Sequence, residues 1–205
     1  ARAGIQNPRS LTTAFTLSLD TPEAMAAAAK AASSRSLLKL KLGREGDEQR
    51  LAAIRAAVPN ARLIVDANEG WGPDILTQML TACDRYGVEL VEQPLPADND
   101  EALRGLERKT IIRADESAYG AESLKSLKGK YDAVNIKLDK TGGLTPALAM
   151  AEVAKADGFK IMVGCMLATS LAMAPAFVVA QMADYVDLDG PLLLAKDRPN
   201  AITYD

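Results

Sequence analysis

The sequence predicts an α/β protein in which eight parallel strands alternate with helices and close into a TIM-like barrel. Two observations support this prediction. Short apolar runs rich in strand-favouring residues alternate with helical patterns along the whole chain. Three of these runs end in an acidic residue, at Asp66, Glu92 and Asp115, and each is about one strand-loop-helix-loop unit from the next. An open doubly wound sheet is the alternative, but it would not collect side chains from three consecutive strand ends so evenly.

Eight short apolar segments are predicted to form the strands, because each has the composition and length that strands favour. They occupy residues 12–19, 36–42, 61–68, 88–94, 110–116, 132–138, 160–166 and 184–189. Helical patterns lie between them, and three open on a start signal that contains proline, at Thr21-Pro22, Gly72-Pro73 and Thr145-Pro146. The segment after the eighth strand is short and interrupted by proline, which argues against an eighth helix. The predicted architecture is therefore (β/α)7β.

The chain is predicted to form one barrel domain with short flanking segments. Its 205 residues, 48% of them hydrophobic, can bury a core of the size that α/β barrels use. Residues 1–10 have no element of their own and are interpreted as a tail from a missing capping region. Residues 11–190 are interpreted as the barrel, and residues 191–205 as a truncated C-terminal segment.

The charge pattern argues against several classes of partner. The net charge is −3 and the basic residues are scattered, so the sequence has no electrostatic footprint for nucleic acid or an acidic membrane surface. No apolar stretch is long enough to span a bilayer, and the first residues lack a signal segment. We therefore expect a cytoplasmic protein that acts on a small molecule, with association into a homo-oligomer left open.

The histidine and cysteine content narrows the chemistry further. The chain contains no histidine, which excludes Ser-His-Asp and Cys-His catalysis and histidine-ligated zinc. Cys83 and Cys165 are far apart and have no C-x-x-C spacing, so we expect reduced thiols rather than a disulfide or a zinc site. Acid-base chemistry near neutral pH must then use lysine or carboxylate.

The three strand-end carboxylates predict a metal site, since parallel strands bring their carboxyl ends to one edge of the barrel. Carboxylates without histidine or cysteine select a hard cation, and a site completed by water and substrate favours Mg²⁺. A substrate carboxylate bound to this cation would have a more acidic α-proton, because the cation stabilises the enediolate that forms when the proton leaves. A lysine would then take the proton.

Lysines flank the predicted metal site on both sides. Lys39 and Lys41 lie two residues apart on the second strand, so they share a face and Lys39 would tune Lys41. Lys137 lies at the end of the sixth strand, which is opposite the second in a ring of eight. If Lys41 and Lys137 face each other, one removes a proton and the other returns it from the opposite side. That arrangement inverts the configuration of the carbon and predicts a racemase or epimerase.

The motifs that carry these residues resemble those of the enolase superfamily, in its muconate-lactonizing subgroup. The resemblance rests on the KLK pair, VDAN, VEQP, ADES, NIKLDKTGG and GCM, and it covers nearly the whole chain. It implies that Lys41 and Lys137 are the acid/base pair, with Lys39 tuning Lys41. It also implies that the three strand-end carboxylates named above hold Mg²⁺.

The end of the eighth strand, VDLDG, resembles the corresponding segment of the dipeptide epimerases of this subgroup. The resemblance implies that Asp187 and Asp189 bind the α-ammonium of a dipeptide of the L-Ala-D/L-Glu type. Strand eight lies opposite strands three to five in a ring of eight, and a dipeptide spans that gap whereas one amino acid does not. Asn68 and Arg113 point to the same faces as the metal ligands and are plausible supporting residues.

Several alternatives stay open at this point. Members of the family carry an N-terminal α+β capping domain, and this chain has none, so the resemblance implies the barrel portion only. An N-acylamino acid racemase, an o-succinylbenzoate synthase or a muconate cycloisomerase would share the lysines and the metal, although the acidic pair in VDLDG argues against all three. A barrel fragment without activity, acting only as a metal-binding scaffold, is the alternative from a different class.

Overall fold

The computed structural model describes residues 7–205, so part of the predicted N-terminal tail, residues 1–6, lies outside the described residues. The chain divides into two compact units. The first unit comprises Ala14–Ser117 and Leu127–Asp132, and the second comprises residues 7–13, Ala118–Ser126 and Ala133–Asp205. The eight strands follow one another in chain order.

The first unit is built on five parallel strands. These are β1 (Phe15–Leu17), β2 (Leu37–Lys41), β3 (Arg62–Asp66), β4 (Val88–Glu92) and β5 (Ile111–Ala114). Each strand pairs in parallel with the next. The register places Lys41 beside Asp66, Asp66 beside Glu92, and Glu92 beside Arg113. The charged residues that end these strands are therefore neighbours along one edge.

Three helices connect the first four strands of this unit, as the sequence predicts. They are α1 (Pro22–Ala31), α2 (Asp47–Ala57) and α3 (Pro73–Arg85). Helix α1 begins after Thr21, whose hydroxyl oxygen accepts a hydrogen bond from the amide of Ala24 at 3.2 Å. Proline at the first helical position suits both α1 and α3, because the N–H that it lacks would have no partner inside the helix.

The connection between β4 and β5 differs from the regular alternation of strand and helix. It contains only a single 3-10 turn, at Glu101–Leu103, where the (β/α)7β pattern predicts an α-helix. Pro94 and Pro96 disfavour a helical conformation at the residues that precede them, so the chain leaves β4 without a helix. The rest of the connection crosses to β5 as a loop with this one turn.

The second unit contains the last three strands, which are also parallel. These are β6 (Ala133–Ile136), β7 (Lys160–Gly164) and β8 (Tyr185–Asp187). The helices that the structure describes from residue 124 onward are α4 (Leu124–Leu127), α5 (Leu138–Thr141), α6 (Leu144–Ala156) and α7 (Ser170–Ala180). After β8 the described chain has one 3-10 turn, Gly190–Leu193, which agrees with the prediction that no eighth helix follows.

One predicted helix boundary is shifted. The helix predicted to open at Thr145-Pro146 begins at Leu144, directly after Gly143. Gly143 has φ 120°, a left-handed conformation that glycine adopts without a steric penalty. Pro146 therefore lies within the first turn of α6, where a missing N–H removes no intrahelical hydrogen bond.

Neither cysteine forms a disulfide, and Cys83 is buried while Cys165 is partly exposed. Burial raises the pKa of the Cys83 thiol far above its ordinary value, so this thiol stays protonated and unreactive. Within residues 7–205, none of the helices is both long and apolar enough to cross a bilayer. The cytoplasmic location stays a prediction.

The carboxylate of Asp47 organises the start of α2. Its Oδ2 atom accepts hydrogen bonds from the amides of Gly43 at 2.8 Å and Arg44 at 3.0 Å, and from the indole N–H of Trp71 at 2.9 Å. Asp47 and Trp71 are both nearly inaccessible to solvent. One buried carboxylate thus satisfies three donors from two different loops.

Replacing Asp47 by alanine should lower the free energy of unfolding by about 3 kcal/mol, because buried donors would lose a charged acceptor. Urea denaturation followed by circular dichroism measures this change. Glu48→Ala is the matched control on the same helix, since Glu48 forms only a solvent-exposed ion pair, and it should cost at most about 0.5 kcal/mol. Equal costs for the two substitutions would contradict this role for Asp47.

Candidate active site

Three buried carboxylates meet at the carboxyl ends of β3, β4 and β5. Asp66 and Glu92 are the last residues of their strands, and Asp115 directly follows β5. Each offers a carboxylate oxygen, and these atoms lie within 4.8 Å of one another. Asp66 and Glu92 are 0% exposed and Asp115 is 2% exposed. The structure therefore brings together the three residues that the sequence singles out as metal ligands.

The donor set fits a hard divalent cation. All three donors are carboxylate oxygens, the ligand type that Mg²⁺ prefers. The three oxygen atoms lie within 4.8 Å of one another, so one cation placed among them could contact all three. Three buried carboxylates without a cation would repel one another strongly in a region of low dielectric. The cluster is thus suited to hold a cation, whose binding stays a prediction.

Two basic side chains, one on β2 and one on β5, contact the carboxylate cluster. The Nζ atom of Lys39 lies 2.8 Å from Glu92 Oε2 and 3.1 Å from Asp66 Oδ2, with the Lys39 side chain 3% exposed. Arg113 forms an ion pair with Glu92, and both side chains are fully buried. The register explains this pair, because Arg113 is the partner of Glu92 across β4 and β5. These two cations offset part of the negative charge of the site.

Lys41 lies on the same face of β2 as Lys39 but is nearer the solvent, with its side chain 33% exposed. Its Nζ atom donates hydrogen bonds to Asp66 Oδ2 at 2.7 Å and to Asn68 Oδ1 at 2.8 Å. Asn68 in turn donates from Nδ2 to Glu116 Oε1 at 3.2 Å. The ammonium group of Lys41 is therefore held at the edge of the carboxylate cluster, where a bound substrate could reach it.

The pKa values of two carboxyl groups at this site are raised by burial and by neighbouring negative charge. Burial, reinforced by the nearby Glu92 carboxylate, raises the pKa of Asp66, while Lys39 and Lys41 act in the opposite direction. Burial also raises the pKa of Glu116, with a further contribution from the charge of Asp115. A divalent cation would favour the ionised form of these groups, so protons and the cation should compete for the site.

The second unit carries the other three predicted site residues, each at the carboxyl end of its strand. Lys137 directly follows β6 and is 8% exposed. Asp187 is the last residue of β8 and lies beside Gly164 in the register, while Asp189 immediately precedes the 3-10 turn. Both aspartates are 4% exposed. All three residues thus lie at the strand ends where the sequence predicts them. Their roles in proton transfer and substrate binding stay predictions.

Gln93 is a buried polar residue outside the predicted set of site residues. It follows Glu92 and is 0% exposed. Its amide oxygen accepts a hydrogen bond from the backbone N–H of Asp115 at 2.9 Å. The only signal in the sequence is its place in VEQP, directly after a predicted ligand and before a proline. Its partners come from distant parts of the chain and cannot be identified from that motif.

The element order and the buried carboxylates define the class of protein: an α/β fold with a candidate metal site at the ends of consecutive parallel strands. Residues 23–199 match the family model described as Enolase C-terminal domain-like. The chain belongs to this family, which confirms the predicted membership of the enolase superfamily.

Two curated relatives illustrate the activities found among similar proteins. The N-acetyl-D-glutamate racemase of Pseudoalteromonas sp is 49% identical over 191 residues, covering 93% of this chain and 61% of the relative. The L-Ala-D/L-Glu epimerase of Escherichia coli strain K12 is 46% identical over 203 residues, covering 98% of this chain and 63% of the relative. The chain thus spans less than two thirds of the length of these relatives.

Solved structures confirm the fold class. An enolase family member from Agrobacterium tumefaciens with homology to dipeptide epimerases, which binds sodium and L-Ala-L-Glu, is 51% identical. It superimposes with a TM-score of 0.97 over 100% of this chain and 63% of its own. A dipeptide epimerase from Cytophaga hutchinsonii complexed with Mg and D-Ala-L-Val is 29% identical, with a TM-score of 0.90 over 96% of this chain and 56% of its own. The predicted α/β-barrel class is therefore correct.

Proposed function

We propose that the protein to which this chain belongs is a Mg²⁺-dependent epimerase of dipeptides of the L-Ala-D/L-Glu type. The observation that carries the proposal is the buried cluster of Asp66, Glu92 and Asp115 with Lys41 at its edge. The names of the relatives support the same conclusion, since they include epimerases and a racemase. A cation in this cluster would act as an electrophile that stabilises negative charge on the substrate carboxylate.

In this proposal Lys41 is the first acid/base residue. It lies two residues from Lys39 on β2, and its Nζ is held by Asp66 and Asn68 at the rim of the cluster. A substrate α-carbon beside the cation would come within reach of this amine. Transfer of the α-proton to Lys41 leaves the electron pair on the substrate, delocalised into its carboxylate.

Lys137 is proposed as the second acid/base residue. It directly follows β6, and residues at the carboxyl ends of the strands form the active sites of α/β barrels. A proton delivered from Lys137 to the face opposite Lys41 inverts the α-carbon. The sum of the two steps exchanges one proton for another and needs no oxidant or further reactant.

Asp187 and Asp189 are proposed to bind the α-ammonium of the dipeptide. Both carboxylates are almost inaccessible to solvent and lie at the end of β8. Two carboxylates close together in the chain attract a cation, and the free N-terminus of a dipeptide supplies one. This pair would therefore select substrates that carry a free amino group.

A second function deserves a test because of one relative. The N-acetyl-D-glutamate racemase is 49% identical to this chain, and its substrate differs from L-Ala-D/L-Glu in the acyl group. N-acetylglutamate lacks the ammonium of the alanyl residue but keeps the same glutamyl carbon. The two candidate substrates thus differ mainly at the group that Asp187 and Asp189 would bind.

The decisive experiment compares kcat/KM for L-Ala-L-Glu and N-acetyl-L-glutamate in the full-length protein with Mg²⁺. We expect the dipeptide to be preferred at least about a hundredfold, because the acetyl compound lacks the ammonium group that the two carboxylates would bind. The double variant Asp187→Asn, Asp189→Asn is the matched control and should reduce this preference. Equal or better turnover of N-acetyl-L-glutamate would replace the epimerase proposal by the racemase.

A further inference from the structure

Gln93 occupies a strained position between two of the proposed metal ligands. It directly follows Glu92, and its backbone has φ 34°, a left-handed conformation that is uncommon outside glycine. Such a conformation persists only where the surrounding structure holds it. The backbone N–H of Gln93 donates to the carbonyl of Arg113 at 2.8 Å, which ties the end of β4 to β5.

The side-chain oxygen of Gln93 holds the segment that carries the third ligand. It accepts hydrogen bonds from the backbone N–H of Asp115 at 2.9 Å and of Ser117 at 3.1 Å. These two amides lie just beyond the end of β5, where the strand ladder no longer fixes the chain. A single side-chain oxygen therefore sets the position of the Asp115 backbone relative to Glu92.

The side-chain nitrogen of Gln93 is anchored on the other side. It lies 2.9 Å from each of three acceptors, which are the carbonyl oxygen of Leu95, the hydroxyl of Ser117 and the hydroxyl of Tyr131. Because both ends of the amide are engaged, its orientation is fixed. The oxygen is consequently directed at the Asp115 amide rather than free to rotate away.

A buried acidic group completes the anchor. The hydroxyl of Tyr131 donates to Asp100 Oδ2 at 2.8 Å, and Lys130 Nζ lies 2.5 Å from Asp100 Oδ1. Burial raises the pKa of Tyr131 above its ordinary value, so the hydroxyl keeps its proton and stays a donor to Asp100. The group of Gln93, Asp100, Ser117, Lys130 and Tyr131, which we call the Gln93 network, is thus internally satisfied.

We propose that Gln93 is a positioning residue that fixes Asp115 relative to Glu92, so that both carboxylates point at one cation. This inference rests on the proposed function, because it assumes that the carboxylate cluster binds Mg²⁺. Mg²⁺ requires a nearly ideal octahedral arrangement at short distances, whereas Ca²⁺ tolerates variable geometry. Loss of positioning should therefore weaken the binding of Mg²⁺ more than that of Ca²⁺.

The test is the affinity for Mg²⁺ and for Ca²⁺ in the full-length protein, measured by isothermal titration calorimetry. Gln93→Met preserves the length of the side chain but removes its acceptor and its donor. We expect the Kd for Mg²⁺ to rise about 10- to 100-fold, as for other residues that orient metal ligands, and the Kd for Ca²⁺ to rise less. A residue that only stabilises the fold would lower the Tm in chelator and leave both affinities unchanged.

Tyr131→Phe is the matched control within the Gln93 network. It removes buried hydrogen bonds, but Leu95 and Ser117 still accept from the Gln93 nitrogen, so the contact between Gln93 and Asp115 is kept. It should lower the Tm in chelator and leave the Kd for Mg²⁺ within about threefold. If Gln93→Met does not fold, Gln93→Asn tests the same point, since its amide is one methylene too short to reach Asp115 and should also raise the Kd.

The outcomes separate this inference from the function on which it rests. If the wild type does not bind Mg²⁺, the metal site and the positioning role both fail. If the wild type binds Mg²⁺ and the Gln93 variant binds it equally well, only the positioning role is overturned. A Tyr131→Phe variant that weakens Mg²⁺ binding as much as Gln93→Met would also overturn it, because the effect would then be a general loss of rigidity.

Discussion

Replacing Glu92 by alanine should abolish the stabilisation of the protein by Mg²⁺. At 100 times its Kd, Mg²⁺ should raise the free energy of unfolding of the wild type by about 2.7 kcal/mol. That increment should vanish in Glu92→Ala, because one of the three buried carboxylate ligands is gone. Thermal unfolding with Mg²⁺ and with chelator measures the increment directly.

The same substitution should also destabilise the protein when no metal is present. Glu92 forms a fully buried ion pair with Arg113 and lies 2.8 Å from the ammonium of Lys39. Removing the carboxylate takes a buried ion-pair partner from Arg113 and one of two from Lys39, which costs about 3 to 5 kcal/mol. The metal-dependent increment must therefore be compared within each variant, not between variants.

Glu89→Ala is the matched control for this experiment. Glu89 lies on the same strand but forms a partly exposed ion pair with Arg62. Exposed pairs of this kind contribute at most about 1 kcal/mol. The Mg²⁺ increment should survive in Glu89→Ala, and its survival in Glu92→Ala would rule out the proposed metal site.

Replacing Lys137 by alanine should stop epimerisation while one half of the reaction continues. In the two-base proposal, Lys41 can still exchange the α-proton of one stereoisomer with solvent, whereas no group returns a proton to the other face. We expect kcat for epimerisation to fall about a thousandfold or more. Deuterium incorporation at the α-carbon of L-Ala-L-Glu and L-Ala-D-Glu in D₂O, followed by NMR, measures both reactions.

Lys160→Ala is the control for the loss of a lysine from a strand of the second unit. Lys160 is exposed and lies at the amino end of β7, whereas the predicted site residues lie at carboxyl ends. It should epimerise at the wild-type rate. Residual exchange with both stereoisomers in Lys137→Ala would contradict the assignment of one face to each lysine.

Most of the fold could be predicted because apolar residues recur at different spacings in strands and in helices. The observed strands fall inside all eight predicted segments, and the starts of α1 and α3 follow from proline at the first helical position. The connection after β4 was not predicted correctly. A regular alternation of elements favours a helix there, but the connection forms a 3-10 turn at Glu101–Leu103 instead.

The candidate ligands could be predicted because each lies at the carboxyl end of a predicted strand. Consecutive parallel strands bring these ends to the same edge of the sheet. Arg113 could be placed on the right face by its spacing from Asp115, but its ion pair with Glu92 depends on the register between β4 and β5. The role of Gln93 could not be predicted. It depends on hydrogen bonds with Asp115 and Ser117, 22 and 24 residues further along the chain, and the sequence pattern does not show such contacts.

The contact between Asp47 and Trp71 has a practical consequence for spectroscopy. Trp71 is the single tryptophan of the chain, and it lies five residues after Asp66 on the loop that leaves β3. Its indole is 2% exposed and its ring nitrogen is hydrogen-bonded to a buried carboxylate. The tryptophan fluorescence of this chain therefore comes from one probe of known surroundings. A red shift of its emission should report the opening of this loop, without an added label.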